Sequence, residues 1–369
     1  MKHYFLGLAS GYSKKQRRAQ FFSRGTEKDY YDLQNYILKE YQAHQVLITR
    51  NGRSAIAAGL KYYFKEKGEV IVNGFTCYAV VSGVKAAGMK PVYADIDPKT
   101  LNFTTETIEK VLTKKTKAII VQNTLGNMVE IKKIEAFAKK NGLVIIEDLA
   151  HCTGRFYPDG REAGTVGEIT IFSFGKEKSI DVINGGAVAF RNSVAPLVKI
   201  PKLRPPVSEV LRARWYPVFG AMYRGLSYVR LNGLFMRMLL LFKWVKKSAE
   251  GEIDFDKRRL SYFQAKQALI QIKNREKIGK KPLREFYLVE NREEVMKKLA
   301  KAGYYFNGFW YERPVSPERY YKKVHFPEEN CQNAVFVSEH IINFPNYYAK
   351  KDLEPAKKII KEYLLEEGK

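Results

Sequence analysis

Cysteines, acidic residues and long apolar runs are scarce in this chain. Cys77, Cys152 and Cys331 are the three cysteines among 369 residues. They form neither a metal-binding spacing nor an even-numbered disulfide framework, so we expect no metal site and a reducing, cytoplasmic location. No apolar run is long enough to span a bilayer, and Met1–Gly7 holds too few apolar residues for a signal peptide.

Acidic residues are few relative to basic ones. The chain has 39 Asp and Glu against 64 Lys and Arg, a formal net charge of +25. Such an excess indicates an anionic partner, for which a nucleotide-sugar, a nucleic acid and an acidic membrane surface are candidates. A general bias toward lysine is the alternative, since pairs such as Lys132-Lys133 lie on apparent solvent faces. No nucleic-acid-binding motif is present, so we expect no nucleic-acid partner.

Strand and helix patterns alternate from Val46 to Phe190. That alternation predicts an α/β domain with a largely parallel sheet. The length and the 45% hydrophobic content suffice for one large and one small domain. The predicted strands are Gln45–Thr49, Glu69–Val72, Pro91–Asp97, Lys117–Val121, Leu143–Ile146, Ile169–Phe172 and Ala187–Phe190.

Polar residues follow two of these strands and precede a third. Glu147-Asp148 follow the strand Leu143–Ile146, and Ser173 to Lys178 follow the strand Ile169–Phe172. Asn184-Gly185-Gly186 precede the strand Ala187–Phe190. Ligands in open α/β sheets bind just beyond the carboxyl ends of strands. A carboxylate, a hydroxyl and a lysine placed there suit pyridoxal phosphate (PLP), which needs a Schiff-base amine, a carboxylate and phosphate ligands. Taken singly, each residue has an alternative as a surface-loop carboxylate or a solvated lysine.

A second candidate site for an anion lies near the start of the chain. The predicted strand Gln45–Thr49 runs through the Asn51-Gly52 turn into a predicted helix from Ser54 to Lys65. Free backbone N–H groups at such a helix N-terminus bind anions. An ordinary strand–helix turn is the alternative.

Three motifs together resemble the DegT/DnrJ/StrS family of fold-type-I, PLP-dependent sugar aminotransferases. They are Glu147-Asp148-Leu149-Ala150-His151, Phe172-Ser173-Phe174-Gly175-Lys176-Glu177-Lys178 and Asn184-Gly185-Gly186. The similarity extends from about Gly25 to the C-terminus. It implies a large domain with a mostly parallel, seven-stranded type of sheet flanked by helices, followed by a small C-terminal α/β domain.

The resemblance assigns roles to four residues of these motifs. Lys178 matches the lysine that forms the Schiff base with PLP, and Asp148 matches the carboxylate on the pyridinium nitrogen. Ser173 matches the phosphate-binding serine. His151 stands where the family usually has Gln, near the cofactor's phenolic oxygen, and adds a titratable group there. Asn184 replaces a Glu that many members carry.

Further cofactor contacts are implied outside these motifs. The Gly52-Arg53-Ser54 turn matches a family segment that contacts the cofactor phosphate. The Arg53 side chain either adds a charge contact to that phosphate or points to solvent. The position of the family's stacking ring falls on Cys77, which cannot stack, so Tyr78 or Phe75 is expected to replace it. Packing in the core is the alternative for Phe75. Asn123 takes the place of a family His near the cofactor and substrate.

Segments beyond the large domain complete the expected organisation. Lys257 to Ala265 resembles a family segment that reaches the active site of the partner subunit, and Arg259 aligns with an arginine of that segment. The resemblance therefore implies a homodimer with a shared active site. A long helix is expected from Ser261 toward Ile278. The expected units are an N-terminal arm (1–24), the PLP-binding domain (25–192), a basic amphipathic insertion (193–250), and an interface helix with the small domain (251–369).

The insertion departs from the family pattern. Its apolar, aromatic and basic composition predicts two amphipathic helices joined near Asn232-Gly233. One alternative is a hairpin that packs on the core or on the dimer partner. The other is a peripheral contact of residues 210–247 with the inner, anionic face of a membrane.

The expected activity is a two-step transamination. A Lys178 Schiff base would take an amino group from glutamate or glutamine, with the lysine amine moving the proton, and pass it to a nucleotide-linked keto-sugar. The family's 3-dehydratases carry His in place of the Schiff-base lysine, so the presence of Lys178 argues against dehydratase chemistry. The alternatives are a non-catalytic or membrane-recruited relative acting as sensor or scaffold, and a PLP enzyme for a non-sugar or lipid-linked substrate.

Overall fold

The computed structural model of the protein describes residues 3–5, 14–192, 201, 203–245, 253–254, 257–305 and 310–365. Parts of the predicted N-terminal arm and of the predicted insertion lie outside the described residues. The boundaries of the predicted units stay predictions.

The strands follow the predicted alternation closely. Seven of them form the main sheet of the described residues. In chain order the strands are β1 (Tyr4–Phe5), β2 (Gln45–Thr49), β3 (Glu69–Asn73), β4 (Thr76–Cys77), β5 (Lys90–Ala94), β6 (Thr116–Val121), β7 (Val144–Asp148), β8 (Ile169–Ser173), β9 (Gly186–Phe190), β10 (Arg284–Leu288), β11 (Tyr304–Tyr305), β12 (Val315–Ser316) and β13 (Ile341–Pro345).

The main sheet has the strand order β2-β9-β8-β7-β6-β3-β5. Strand β9 is antiparallel to both of its neighbours, and every other pairing is parallel. Parallel strands bury both faces, so consecutive residues enter opposite cores: Ile145 packs on one side of the sheet and Ile146 on the other. The predicted, mostly parallel sheet is confirmed.

Helices cover both faces of this sheet. Helices α2 (Glu27–Glu40), α6 (Ile131–Lys140) and α9 (Tyr262–Ile272) pack on one face, and α3 (Gly52–Tyr63), α4 (Tyr78–Ala86) and α13 (Gln332–His340) pack on the other. Their bounds are α1 (Lys14–Phe22), α2 (Glu27–Glu40), α3 (Gly52–Tyr63), α4 (Tyr78–Ala86), α5 (Thr105–Glu109), α6 (Ile131–Lys140), α7 (Val207–Ser227), α8 (Asn232–Leu241), α9 (Tyr262–Ile272), α10 (Arg275–Ile278), α11 (Arg292–Lys301), α12 (Glu318–Tyr321), α13 (Gln332–His340) and α14 (Lys350–Lys361).

The C-terminal part forms a smaller α/β unit around a core of its own. Strands β10 and β13 pair antiparallel, and helices α11 and α14 pack on them. The prediction of one long helix from Ser261 toward Ile278 is wrong, because a turn interrupts the helix between α9 and α10. The Asn274 side chain donates to the Ile270 carbonyl at the break, and Arg275 is held by an ion pair to Glu162.

The insertion forms a helical hairpin of α7 and α8, joined by the short turn Tyr228–Leu231. The two predicted helices are therefore present, with the turn just before the predicted position. No helix among the described residues combines the length and the apolar character that crossing a membrane requires.

Candidate active site

The polar residues predicted to act together lie at one edge of the main sheet. Asp148 ends β7 and Ser173 ends β8, and these strands are parallel neighbours. Their carboxyl ends therefore meet, and Lys178 lies in the turn that follows β8. Gly52, the first residue of α3, approaches the same edge beside Ser173.

The Lys178 amine is in contact with a buried histidine. Its Nζ lies 3.0 Å from Nε2 of His151, and Nδ1 of that ring accepts the backbone N–H of Leu125 at 3.1 Å. Because Nδ1 accepts, the neutral ring carries its proton on Nε2, which then donates to the amine. Burial holds the pKa of His151 well below its usual value, and the charges of Lys178 and Arg284 act in the same direction.

Burial also lowers the pKa of the Lys178 ammonium, and the charge of Arg284 adds to that effect. The acidic groups of Cys77, Asp148 and Glu177 oppose the shift without reversing it. A lysine with a lowered pKa holds more of its neutral form, which is the nucleophile and the base.

Asp148 is a buried carboxylate rather than the surface residue of the alternative interpretation. Burial raises its pKa, while the N–H of Ala150, donated at 3.0 Å, and the charge of Lys178 oppose the rise. Its second oxygen accepts no hydrogen bond from the part of the chain that the structure describes. Such a carboxylate fits a cationic ring N–H, which would supply the missing donor.

A cradle for a small anion lies where α3 begins. A Cβ atom on Gly52 would lie 2.8 Å from Cβ and Oγ of Ser173, so a glycine is needed for this approach. No hydrogen bond joins Ser173 Oγ to any described residue. The first turn of α3 holds no acidic residue, and its N–H groups give the positive end of the helix. This donor set fits a phosphate group.

The two other residues of the turn have different surroundings. Asn51 caps α3 by accepting the N–H of Ser54 at 2.9 Å, and Ser54 Oγ accepts the N–H of Asp254 at 3.0 Å. Arg53 is partly buried rather than pointing to solvent. Burial lowers the pKa of its guanidinium, and the nearby groups of Cys77 and Tyr78 oppose this.

The aromatic ring beside Lys178 is one that the sequence did not reveal. Tyr78 stacks on Tyr320, with ring centroids 4.2 Å apart, and Phe75 is buried edge-on against Tyr311. Stacking of either predicted ring on the cofactor stays a prediction. The centroid of the Trp310 ring lies 4.5 Å from Lys178 Nζ.

A buried arginine also escaped sequence reasoning. Arg284, at the start of β10, donates from Nε to Asn343 Oδ1 at 2.5 Å, and its Nη1 lies 3.6 Å from Glu177 Oε2. Its guanidinium carbon lies 5.1 Å from the Trp310 ring centroid. The strand β10 was not predicted, and no sequence signal separates this arginine from the many surface cations.

Asn123, which follows β6, makes its hydrogen bonds inside the core. It is fully buried, donating to Tyr157 Oη at 3.3 Å and accepting the N–H of Val129 at 3.0 Å. Those bonds hold its amide within the core, and its contact with cofactor and substrate stays a prediction.

Arg259 lies outside the Lys178 cluster of its own chain. Its Nη1 lies 2.9 Å from Glu27 Oε1, and its guanidinium carbon lies 5.0 Å from the centroid of the Tyr262 ring. Its contact with a partner subunit's site stays a prediction.

Comparison with known proteins agrees with this geometry. The sequence profile of the DegT/DnrJ/EryC1/StrS aminotransferase family matches residues 15–203, more than half of the chain. The chain belongs to this family. The predicted family and fold are confirmed, and the match ends before α7, so the hairpin lies outside the matched residues.

Individual relatives match over shorter stretches. A pleiotropic regulatory protein of Geobacillus stearothermophilus is 38% identical over 143 residues, which cover 38% of each chain. A GDP-perosamine synthase of Escherichia coli O157:H7 is 31% identical over 202 residues, covering 54% of this chain and 55% of the relative. The matches thus span about two-fifths to half of these relatives' own length.

The fold match to solved structures is nearly complete. A Streptococcus pneumoniae protein described as a sugar aminotransferase, solved in its PLP form, superposes with a TM-score of 0.66 at 17% identity. The superposition covers 96% of this chain and 98% of that one. PLP is thus the cofactor in a member of this fold, and the buried Asp148, the Gly52–Ser173 cradle and Lys178 fit it.

Proposed function

We propose that the protein is a PLP-dependent aminotransferase that converts the carbonyl of a nucleotide-linked keto-sugar to an amine, with glutamate or glutamine as donor. The observation that carries the proposal is the Lys178 amine, held 3.0 Å from a neutral His151 at the same strand ends as buried Asp148.

Each residue of the cluster has a task toward the cofactor. Ser173 and the α3 N-terminus at Gly52 would hold the phosphate, and Asp148 would face the pyridine nitrogen and keep it protonated. His151 would lie near the phenolic oxygen. When bound, PLP supplies an electron sink for the carbon whose bonds change.

Lys178 is the residue that moves protons in this proposal. Its Nζ, whose pKa burial lowers and which faces the His151 N–H, takes a proton from the donor's α-carbon as a general base. The same Nζ then returns a proton as a general acid. The Trp310 ring lies over this Nζ.

The substrate class rests on charge and on relatives. The buried Arg284 guanidinium adds positive charge beside Lys178, which suits a donor carboxylate and an anionic sugar nucleotide. The net charge of +25 acts in the same direction. Three GDP-perosamine synthases among the partial relatives favour a nucleotide-linked sugar.

The proposal includes a homodimer whose sites are shared, supported by the resemblance of the Lys257–Ala265 segment. Light scattering of the purified protein tests the dimer. Mixing Lys178→Ala subunits with Arg259→Ala subunits tests sharing, because partial recovery of activity requires sites built from two chains.

The activity is tested by supplying purified protein with PLP, nitrogen-labelled glutamate or glutamine, and a panel of nucleotide-linked keto-sugars. Transfer of label to a sugar supports the proposal. Reaction of the donor with no labelled product from any keto-sugar restricts the enzyme to another carbonyl class. Absence of any donor reaction in PLP-loaded protein overturns the proposed activity.

A further inference from the structure

We infer that the α7–α8 hairpin docks on an anionic bilayer surface, with the outward face of α8 lying in the membrane interface. This inference is independent of the proposed reaction, because it rests on surface residues far along the chain from the Lys178 motifs.

Helix α8 is apolar on two faces, and the hairpin buries one of them. Phe235 and Leu239, four residues apart, are buried in the hairpin. Leu234, Met238 and Leu241 follow the same helical period on the outward face, where they are 68%, 43% and 76% exposed. A helix that is apolar on its outward face needs a second apolar surface to cover it.

The exposed apolar surface continues past both ends of α8. Tyr228, Val229 and Leu231 are exposed in the turn that precedes the helix, and Phe242 is 67% exposed where the helix ends. Continuous exposed apolar surface of this kind marks an interaction site, whereas single exposed apolar residues do not.

Charge selects the occupant of this surface. From Val210 to Val245 the sequence contains no acidic residue and six basic ones. Three of the basic residues, Arg230, Arg237 and Lys243, are exposed on or beside α8. Apolar side chains flanked by cations fit the boundary between acyl chains and anionic headgroups.

A second copy of the chain fits this surface poorly. Pairing by a two-fold axis would bring the same patch of each subunit together, so Arg and Lys would face Arg and Lys. No described helix is long and apolar enough to cross a bilayer. The proposed contact is that of a helix lying in the plane of the membrane interface.

The base of the hairpin is tied to the turn that carries Lys178. The Lys176 ammonium lies 4.3 Å from the Tyr216 ring centroid in α7. Glu209, also in α7, accepts from Asn184 Nδ2 at 3.0 Å and pairs with Arg50 next to α3. Docking would therefore hold the candidate active site beside the bilayer.

Flotation of the full-length protein with vesicles tests the inference. Vesicles of phosphatidylcholine with phosphatidylglycerol should carry the wild type, and vesicles of phosphatidylcholine alone should carry little. Arg230→Glu, Arg237→Glu and Lys243→Glu together should lower the partition coefficient by roughly 100-fold, since each basic residue near the surface contributes about 1 kcal/mol.

Matched variants separate the hairpin from general effects. Leu234→Asp with Leu241→Asp should also abolish flotation, whereas Leu38→Asp, at an exposed leucine of α2, should not. The triple variant Lys132→Glu, Lys139→Glu and Lys140→Glu on α6 makes the same charge change elsewhere and should retain most binding. Circular dichroism confirms that each variant is folded.

Several outcomes overturn the inference. The inference is contradicted if the wild-type protein floats with neither vesicle type. It is also contradicted if the variants of the α8 surface float as well as the wild type does. Loss of an oligomer in the Leu234→Asp, Leu241→Asp variant, without vesicle binding by the wild type, assigns the face to a second copy. Aminotransferase activity in detergent-free solution is expected to persist in every variant, so failure of docking and failure of the proposed function are distinguishable.

Discussion

His151 presents its Nε2 proton to Lys178 Nζ across 3.0 Å because the N–H of Leu125 occupies its other nitrogen. The backbone thus fixes the tautomer of the histidine, and burial lowers the pKa of the lysine that this ring faces. A side chain that can only donate a hydrogen bond to Lys178 Nζ favours the neutral amine, which is the nucleophilic form.

Replacing His151 separates hydrogen bonding from titration. His151→Gln keeps an N–H donor and should retain most activity, with an unchanged pH profile because the native ring stays neutral. His151→Phe removes the donor and should lower kcat by about 10-fold, as loss of a hydrogen bond to a reacting group costs about 1.5 kcal/mol. Equal activity of the two variants in steady-state kinetics would contradict this role.

Removing the charge of Arg284 should shift the pH dependence of activity upward. Its guanidinium lowers the pKa of both Lys178 and His151, so Arg284→Met raises both pKa values. A higher pH is then needed to obtain the neutral lysine amine, and the rising limb of kcat/KM moves to higher pH. Arg313→Met, an exposed arginine paired with Glu318, is the control and should leave the profile in place.

Asp148 should destabilise the cofactor-free protein. Burial raises its folded pKa above the unfolded value, so stability is lost as pH rises through that range, and the penalty is full at neutral pH. Asp148→Asn should therefore raise the Tm of cofactor-free protein at pH 7, with the gain vanishing in acid, where both states are protonated.

The same Asp148→Asn variant should lose activity by roughly two to four orders of magnitude, because breaking a buried charge pair costs about 3–5 kcal/mol. A variant that is both less stable without PLP and fully active would contradict the assigned role. Calorimetry without PLP and kinetics with saturating PLP measure the two effects separately.

Gly52→Ala should weaken the binding of PLP. The added Cβ would lie 2.8 Å from Ser173 Cβ and Oγ, which forces apart the cradle for the phosphate. Overpacking of this kind costs about 1–3 kcal/mol, or roughly 5- to 150-fold in Kd. Titration followed by PLP absorbance measures it. Gly225→Ala, where a Cβ meets nothing within 4 Å, should leave the Kd unchanged.

The strand-end residues were predictable because their signals are local. A β-branched run followed at once by Asp148, or by Ser173 and then Lys178, shows both the strand and the polar group at its end. Parallel pairing of β7 and β8 then brings these groups together without further information.

The remaining side chains were not predictable because tertiary contacts place them. Trp310 and Arg284 return to Lys178 from the C-terminal unit, and no local period records that return. The stacking of Tyr320 on Tyr78 likewise joins residues more than 200 positions apart, which no local pattern predicts. Asn123 has a polar side chain at a strand end, like Asp148, yet it turns into the core toward Tyr157.

The central claim is a covalent bond between PLP and one lysine. Borohydride reduction of the PLP-loaded protein, followed by peptide mass spectrometry, locates that lysine directly. The account predicts a pyridoxyl group on Lys178 and none in Lys178→Ala, with Lys176→Met labelled as the wild type is. A label on another lysine, or none in protein that retains PLP, would contradict the account.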